Sequence, residues 1–130
     1  NPQWVDGYLN INDGSASLEL RLRDMIKLGQ LYLQEGWSGE EQILSSEWIE
    51  QATSIKVETY FPEIPGYGYL WWLPPGEGFM AIGYGGQYIA VYPERGLVIG
   101  AHSSINNNQI YMSQLLEYIH NQIAPIFDGE

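Results

Sequence analysis

The stretch that most constrains this chain is Phe79-Met-Ala-Ile-Gly-Tyr-Gly-Gly-Gln-Tyr-Ile-Ala-Val-Tyr92. It reads as a strand, a glycine-rich corner at Gly83–Gln87, and a second strand. Bulky residues flank a point where the backbone is nearly bare. Two residues pairing across a sheet do not need three glycines, whereas a ligand lying along a strand edge does profit from them. A plain hairpin or bulge satisfies the same spacing. Both readings stay open at this point.

Length places the 130 residues in one domain, 1–130. A hydrophobic content of 45% with 14% aromatic residues is ample for a packed core. Five Lys+Arg against sixteen Asp+Glu give a formal charge of −11, which repels a phosphate backbone and an anionic membrane surface alike. Nucleic acid is therefore not an expected partner, and a cationic one is compatible. Cysteine is absent, which excludes disulfides, thiolate metal sites and a cysteine nucleophile. No apolar run approaches the roughly 20 residues that span a bilayer, so no membrane insertion is expected, and no signal pattern opens the chain. The first residue is Asn and not Met, which points to a processed or excised piece.

Residues 1–19 carry turn formers without a sustained period, with Trp4 and Tyr8 as expected anchors onto the body. The spacing predicts a helix from Leu20 to Glu35. Leu22, Met25, Ile26, Gly29 and Leu33 share one face, and Leu28, Leu31 and Tyr32 widen the stripe. Arg21 is a poor cap, and Gly36 supplies the left-handed stop. Trp37 to Ile43 reads as a loop containing the Ser38-Gly39 turn. Ser45 caps a short helix over Ser46–Ala52, with Glu47 in its first turn and Trp48 and Ile49 as its expected buried contacts. Residues 53–66 form a connection ended by Pro62, Pro65 and Gly66.

From Tyr67 the period changes to 2. Tyr67-Gly-Tyr-Leu-Trp-Trp-Leu73 is strand-like, and Pro74-Pro-Gly-Glu-Gly78 is a tight connection. The glycine-cornered pair follows, then the hairpin loop Pro93-Glu-Arg-Gly96 and a last strand, Leu97 to Ser103. Four strands on short loops make an antiparallel meander. Ile105-Asn-Asn-Asn108 caps a final helix to Ala124, with Met112, Leu115, Leu116, Ile119 and Ile123 as its apolar stripe and Pro125 as its end. The expected class is α+β, with one or two N-terminal helices and a C-terminal helix laid on the meander.

Taken residue by residue, the chain holds no complete catalytic machinery. A Ser–His–Asp arrangement needs a positioned histidine, and only His102 and His120 exist. His102 sits in an apolar strand before Ser103 and Ser104. His120 lies next to the buried stripe of the last helix, at its solvent margin. Neither has carboxylates at ligand spacing, so no metal site and no cofactor is expected. Gly83-Tyr-Gly-Gly86 fails as a dinucleotide loop, because a strand and not a helix follows it. Glu40-Glu41 reads as solvated loop surface, and Lys27 as an i,i+3 partner of Asp24. Lys56 sits in a connection.

Five Trp and ten Tyr are heavy for this length. Read as one strand, 67–73 puts Tyr67, Tyr69, Trp71 and Leu73 on one face and Leu70 and Trp72 on the other. Trp72 is expected in the core; Tyr69 and Trp71 are candidates for a cleft wall.

Six segments occur in a telling order: Arg23-Asp-Met-Ile-Lys-Leu-Gly-Gln-Leu-Tyr-Leu33, Gly36-Trp-Ser-Gly39, Gln42-Ile-Leu-Ser-Ser-Glu-Trp-Ile49, Tyr67–Leu73, Gly83-Tyr-Gly-Gly-Gln-Tyr-Ile89 and Val91-Tyr-Pro-Glu94. The ordered set resembles the C-terminal part of the serine β-lactamase-like hydrolases, the superfamily of class C β-lactamases, D-alanyl-D-alanine carboxypeptidases, penicillin-binding proteins, esterases and amide hydrolases. The resemblance runs from about Leu18 to the last helix and implies a partial β-lactamase/transpeptidase-like fold. In that family the nucleophile is the serine of Ser-x-x-Lys, helped by the tyrosine of Tyr-x-Asn. No Ser-x-x-Lys occurs here, and Tyr8-Leu-Asn10 is read as a chance match.

The family's third motif, Lys-Thr-Gly or His-Ser/Thr-Gly, corresponds by position to Tyr84-Gly85-Gly86. Tyr84 replaces the cation and Gly85 the hydroxyl, which argues against β-lactam specificity. The resemblance makes the backbone N–H of Gln87 an oxyanion-hole donor, a contribution worth roughly 3 kcal/mol in such sites. It makes Tyr84 a catalytic-site residue, and Gly85, Gly86, Trp71 and Tyr69 substrate contacts. The chain is thus expected to carry one wall of an acyl-transfer site for a small ester or amide and to be inactive alone. The alternative is a non-enzymatic binding or assembly module using the aromatic face at Tyr69, Trp71 and Tyr84. In the family the strand matching Leu97–Ser103 pairs with a strand from the N-terminal segment. Without that strand an apolar edge is bare, and a homodimer by edge pairing or swapping is expected. A periplasmic or secreted location is what the resemblance favours.

Overall fold

The computed structural model describes residues 3–4, 11, 18–76, 78–103 and 109–128, with the backbone alone for 109–112. Along the chain come β1 (Gln3–Trp4), β2 (Leu18–Glu19), α1 (Leu22–Leu33), β3 (Trp37–Ser38), β4 (Glu41–Gln42), α2 (Ser46–Ala52), β5 (Val57–Glu58), β6 (Gly66–Tyr67), β7 (Trp72–Leu73), β8 (Phe79–Gly83), β9 (Gln87–Tyr92), β10 (Leu97–His102) and α3 (Gln109–Tyr118). A π turn over Ile119–Ile123 and a 3-10 turn over Ala124–Phe127 continue α3. The expected anchor Tyr8, Tyr8-Leu-Asn10, Ile105–Asn108 and the side chain of Met112 lie outside the described residues.

The class is α+β with antiparallel sheets, as the pattern implies. The meander is longer than read: six strands in strict succession, β10-β9-β8-β7-β6-β5, replace the expected four. The loop expected over 37–43 contains the small ribbon β3–β4, and Trp4 lies half-exposed in β1, paired with Leu18. The final helix reaches Ala124 as expected, but only Gln109–Tyr118 of it is α-helical. It widens after Tyr118, and Pro125 falls inside the closing 3-10 turn.

Period 2 on the long strands divides the core into two layers. Phe79, Ile89 and Val91 face α1 and α2 with Met25, Ala52, Trp71 and Leu73. Met80, Tyr88, Ala90 and Tyr92 face the C-terminal helix with Ile119 and Ala124. Alternate residues thus serve opposite layers, which is why β9 is buried from Tyr88 to Tyr92. α1 sits close to the sheet at Gly29, where a Cβ would stand 2.6 Å from Val98 Cγ1 and 2.7 Å from Ile89 Cγ2. Gly29 therefore sets the helix-to-sheet distance.

The largest departure lies at Tyr67–Leu73. The stretch is not one strand but a hairpin, pairing Gly66 with Leu73 and Tyr67 with Trp72. Its turn is closed by Gly68 N–H donating to Trp71 C=O at 2.8 Å and contains Leu70 at φ 66. A left-handed residue cannot continue an extended strand, so the chain reverses there. Reversal moves Tyr67 to the face of Trp72, its edge-on partner at 4.6 Å, and away from the face of Trp71.

Candidate active site

Register gathers several loops at one end of the main sheet. β9 starts there at Gln87, which pairs with Gly83 on one side and His102 on the other. Met80 pairs with Trp72, so the continuation of β8 to Ile82 and Gly83 runs alongside the 68–71 turn. Lys56 donates its N–H to Tyr67 C=O at 2.9 Å and so lies at the same end. The turn 68–71, the corner 84–86, Lys56 and the His102–Ser103 terminus therefore form one rim.

The corner is a hairpin turn, with Gly86 N–H donating to Gly83 C=O at 3.1 Å and Gly86 at φ 83. Much of its bareness is taken up from within. The Gln87 side chain folds back, and its Oε1 accepts the Gly85 N–H at 3.1 Å. A Cβ on Gly83 would stand 2.5 Å from Gln87 Oε1, and one on Gly85 2.7 Å from Gln87 Nε2. The Gln87 amide, the end of a flexible side chain, thus fills the space that Gly83 and Gly85 leave. Ser103 fixes the next carbonyl, its N–H donating to Gly86 C=O at 3.0 Å.

That last bond sets the direction of every backbone group nearby. In an antiparallel ladder, a bond from Ser103 to Gly86 flanks a non-hydrogen-bonded pair, here His102 and Gln87. The Gln87 N–H consequently turns toward Gly83, into the hairpin and not out from the sheet. By the same alternation Met80 and Ile82 point away from β9. Met80 meets Trp72, but β7 ends there, so no strand pairs with Ile82 among the described residues. The open strand edge at this rim is Ile82–Tyr84.

The predicted site residues separate accordingly. Tyr84 is exposed at the corner and Tyr69 at the 68–71 turn, both on the rim with Gly85, Gly86 and Gln87. Trp71 is not a wall. It is 3% exposed, packed beneath α1 against Tyr32 at 4.5 Å and Phe79 at 4.9 Å, and belongs to the core. Trp48, expected in the core, is 43% exposed and stacks on Tyr69 with centroids 5.6 Å apart and planes 14° from parallel. The two tryptophans exchange roles because the hairpin turn folds Tyr69 outward over α2 while Trp71 turns in. Leu70 is missed by pattern reading, since no period marks a left-handed leucine.

At the opposite end Tyr92 is fully buried, its hydroxyl 3.3 Å from His120 Nδ1 and its ring beneath Arg95, which ion-pairs with Asp128. Burial pushes the Tyr92 phenol up, with Arg95 pulling it partly back, and burial alone pushes up Tyr88. His120 is therefore a packing partner there. No group of three or more His, Cys, Asp or Glu able to hold a metal ion occurs among the described residues.

No family model matches the chain, and no curated protein matches it. A solved structure does: a "putative 6-aminohexanoate-dimer hydrolase" from Bacillus anthracis is similar at 30% identity over 90% of this chain, with a TM-score of 0.68. The chain spans about a third (32%) of that structure. That protein is a β-lactamase-like hydrolase, so the chain has the fold of one portion of such an enzyme.

Proposed function

We propose that the chain is the sheet-bearing portion of a β-lactamase-like serine hydrolase that cleaves amide or ester bonds, with one wall of its acyl-transfer site at the Tyr69–Tyr84 rim. One observation carries the reading: β8 loses its neighbour at Ile82, beside Tyr84-Gly85-Gly86, on a fold 30% identical to part of a hydrolase. An open strand edge offers unpaired N–H groups to an extended substrate and to developing negative charge. In this reading the edge groups at Ile82 and Tyr84 are the better-directed donors, and Gln87 acts by holding the corner rigid. Tyr84, Gly85, Gly86 and Tyr69 flank the substrate.

The nucleophile lies in none of these residues, because the sequence has no Ser-x-x-Lys. The chain alone is expected neither to turn over nitrocefin or p-nitrophenyl esters nor to react with a fluorophosphonate. A serine adduct detected by mass spectrometry sinks this. The coding sequence 5′ of Asn1 is expected to supply Ser-x-x-Lys and then Tyr-x-Asn; a start codon immediately before it favours a binding module. That second reading draws on the exposed Trp48, Tyr69, Leu70 and Tyr84.

The partner follows from the opposite edge. Alternation turns the backbone groups of Val98, Gly100 and His102 away from β9, and no strand covers them among the described residues. Leu97-Val-Ile-Gly-Ala101 holds no charge or proline to blunt that edge. The isolated chain is expected to dimerise through it; a concentration-independent monomer in sedimentation contradicts that.

A further inference from the structure

The rim carries an arrangement that acyl transfer does not account for. Lys56 Nζ stands 5.2 Å from the centre of the Tyr69 ring, whose neighbour is the Trp48 indole. Lys56 is exposed and has no carboxylate within ion-pair distance among the described residues, in a chain whose formal charge is −11. Beside it Leu70, 63% exposed, projects an apolar side chain from a left-handed backbone at φ 66. Strain of that kind persists where surrounding structure holds it, and it is a pointer to function.

The surrounding structure does hold it. Ser45 Oγ accepts the Trp48 N–H at 3.1 Å and caps α2. Tyr69 N–H donates to Ala52 C=O at 2.9 Å and fastens the turn to the end of that helix. The Lys56 N–H bond to Tyr67 fixes the backbone that carries the ammonium. The rings and the backbone beneath the cation are thus set before any ligand arrives, so little of the ordering cost of binding remains.

We propose that Lys56, Tyr69, Trp48 and Leu70 form a subsite for a small carboxylate carried on an apolar chain, lying alongside the open edge at Ile82. Its place in a reaction rests on the hydrolase reading; its binding chemistry does not. The ammonium meets the carboxylate, while Leu70 and the exposed ring edges cover the aliphatic part. The net charge of −11 opposes a polyanion more than a single carboxylate, so the Lys56 ammonium suits a singly charged organic acid better than a multiply charged one.

The test is an NMR titration of the whole chain with hexanoate, methyl hexanoate and hexylammonium, following backbone amides, the Trp48 indole and the Lys56 side chain. Hexanoate is expected to shift Lys56, Tyr69, Leu70 and Trp48 signals, and methyl hexanoate to bind about fivefold more weakly, as befits one exposed ion pair. K56M is expected to erase the preference for the acid and K56R to retain it. Equal binding of acid and ester, an unchanged preference in K56M, or no shift with any probe overturns the proposal. The two readings fail separately. Shifts confined to Ile82–Gln87 with Lys56 silent remove the subsite and leave the hydrolase wall. Shifts at Lys56 and Tyr69 with Ile82–Gln87 silent keep the subsite and detach it from the wall.

Discussion

The two ends of the main sheet are made of similar residues and behave oppositely. At the Tyr92 end a tyrosine, a histidine, an arginine and an aspartate close on one another: Tyr92 is buried, His120 meets its hydroxyl, and Arg95 covers its ring while pairing with Asp128. At the Gln87 end Tyr84 is 69% exposed, Tyr69 46%, and Lys56 has no carboxylate partner among the described residues. The difference is topological. The Pro93–Arg95 turn lies where Ala124–Phe127 and Asp128 return to cover it. Among the described residues, no segment returns over the 84–86 corner. The proposed function puts a ligand at the open rim and none at the closed end.

The largest expected effect separates the ends by stability. Tyr92→Ala removes a fully buried side chain and is expected to cost about 3–5 kcal/mol in urea unfolding, whereas Tyr84→Ala stays within about 0.5 kcal/mol. Comparable losses at both would erase the contrast. Next, Leu70→Gly removes the left-handed penalty at φ 66 and is expected to stabilise the chain by about 1 kcal/mol, less any cost from added backbone freedom. A loss exceeding about 1 kcal/mol shows that the leucine packs and is not strained. Tyr92→Phe keeps the ring and loses the bond to His120, a change of about 1 kcal/mol.

The smallest effect is a pH dependence. Tyr88 and Tyr92 have folded-state pKa values raised above the ordinary 10.0 by burial, so the unfolded chain loses these protons first. Their contribution is complete below pH 10.0 and fades as pH rises through the folded values. Stability is therefore expected to fall in the alkaline limb, and less steeply in Y92F. An identical limb in Y92F contradicts the assignment.

How much of this the sequence disclosed depends on whether local pattern or distant geometry decided it. The Ser46–Ala52 helix and its Ser45 cap are legible because capping is a matter of three residues. The α1 stripe, β8, β9 and β10 follow from period, and the Pro93 turn from its proline and Gly96. Tyr67–Leu73 misleads because alternation assumes an unbroken strand, and one left-handed Leu70 reverses the chain and puts Tyr67 and Trp71 on opposite faces. The same reversal explains the exchange between Trp71 and Trp48. The position of the Gly83–Gln87 corner is legible, but not the folding of the Gln87 amide onto its own glycines, which needs the side chain's direction. The open edge depends on where β7 stops, which is a property of the sheet and not of any single stretch.

Residue-resolved amide hydrogen exchange tests the central claim most directly, because the ladder assigns each N–H of β8 a direction. Ala81 and Gly83 point into β9 and are expected to exchange slowly, while Ile82, between them, exchanges fast in the free chain and slows when a ligand occupies the rim. An Ile82 amide as protected as its two neighbours in the free chain would mean that the edge is already filled, and the open end would not be a binding wall.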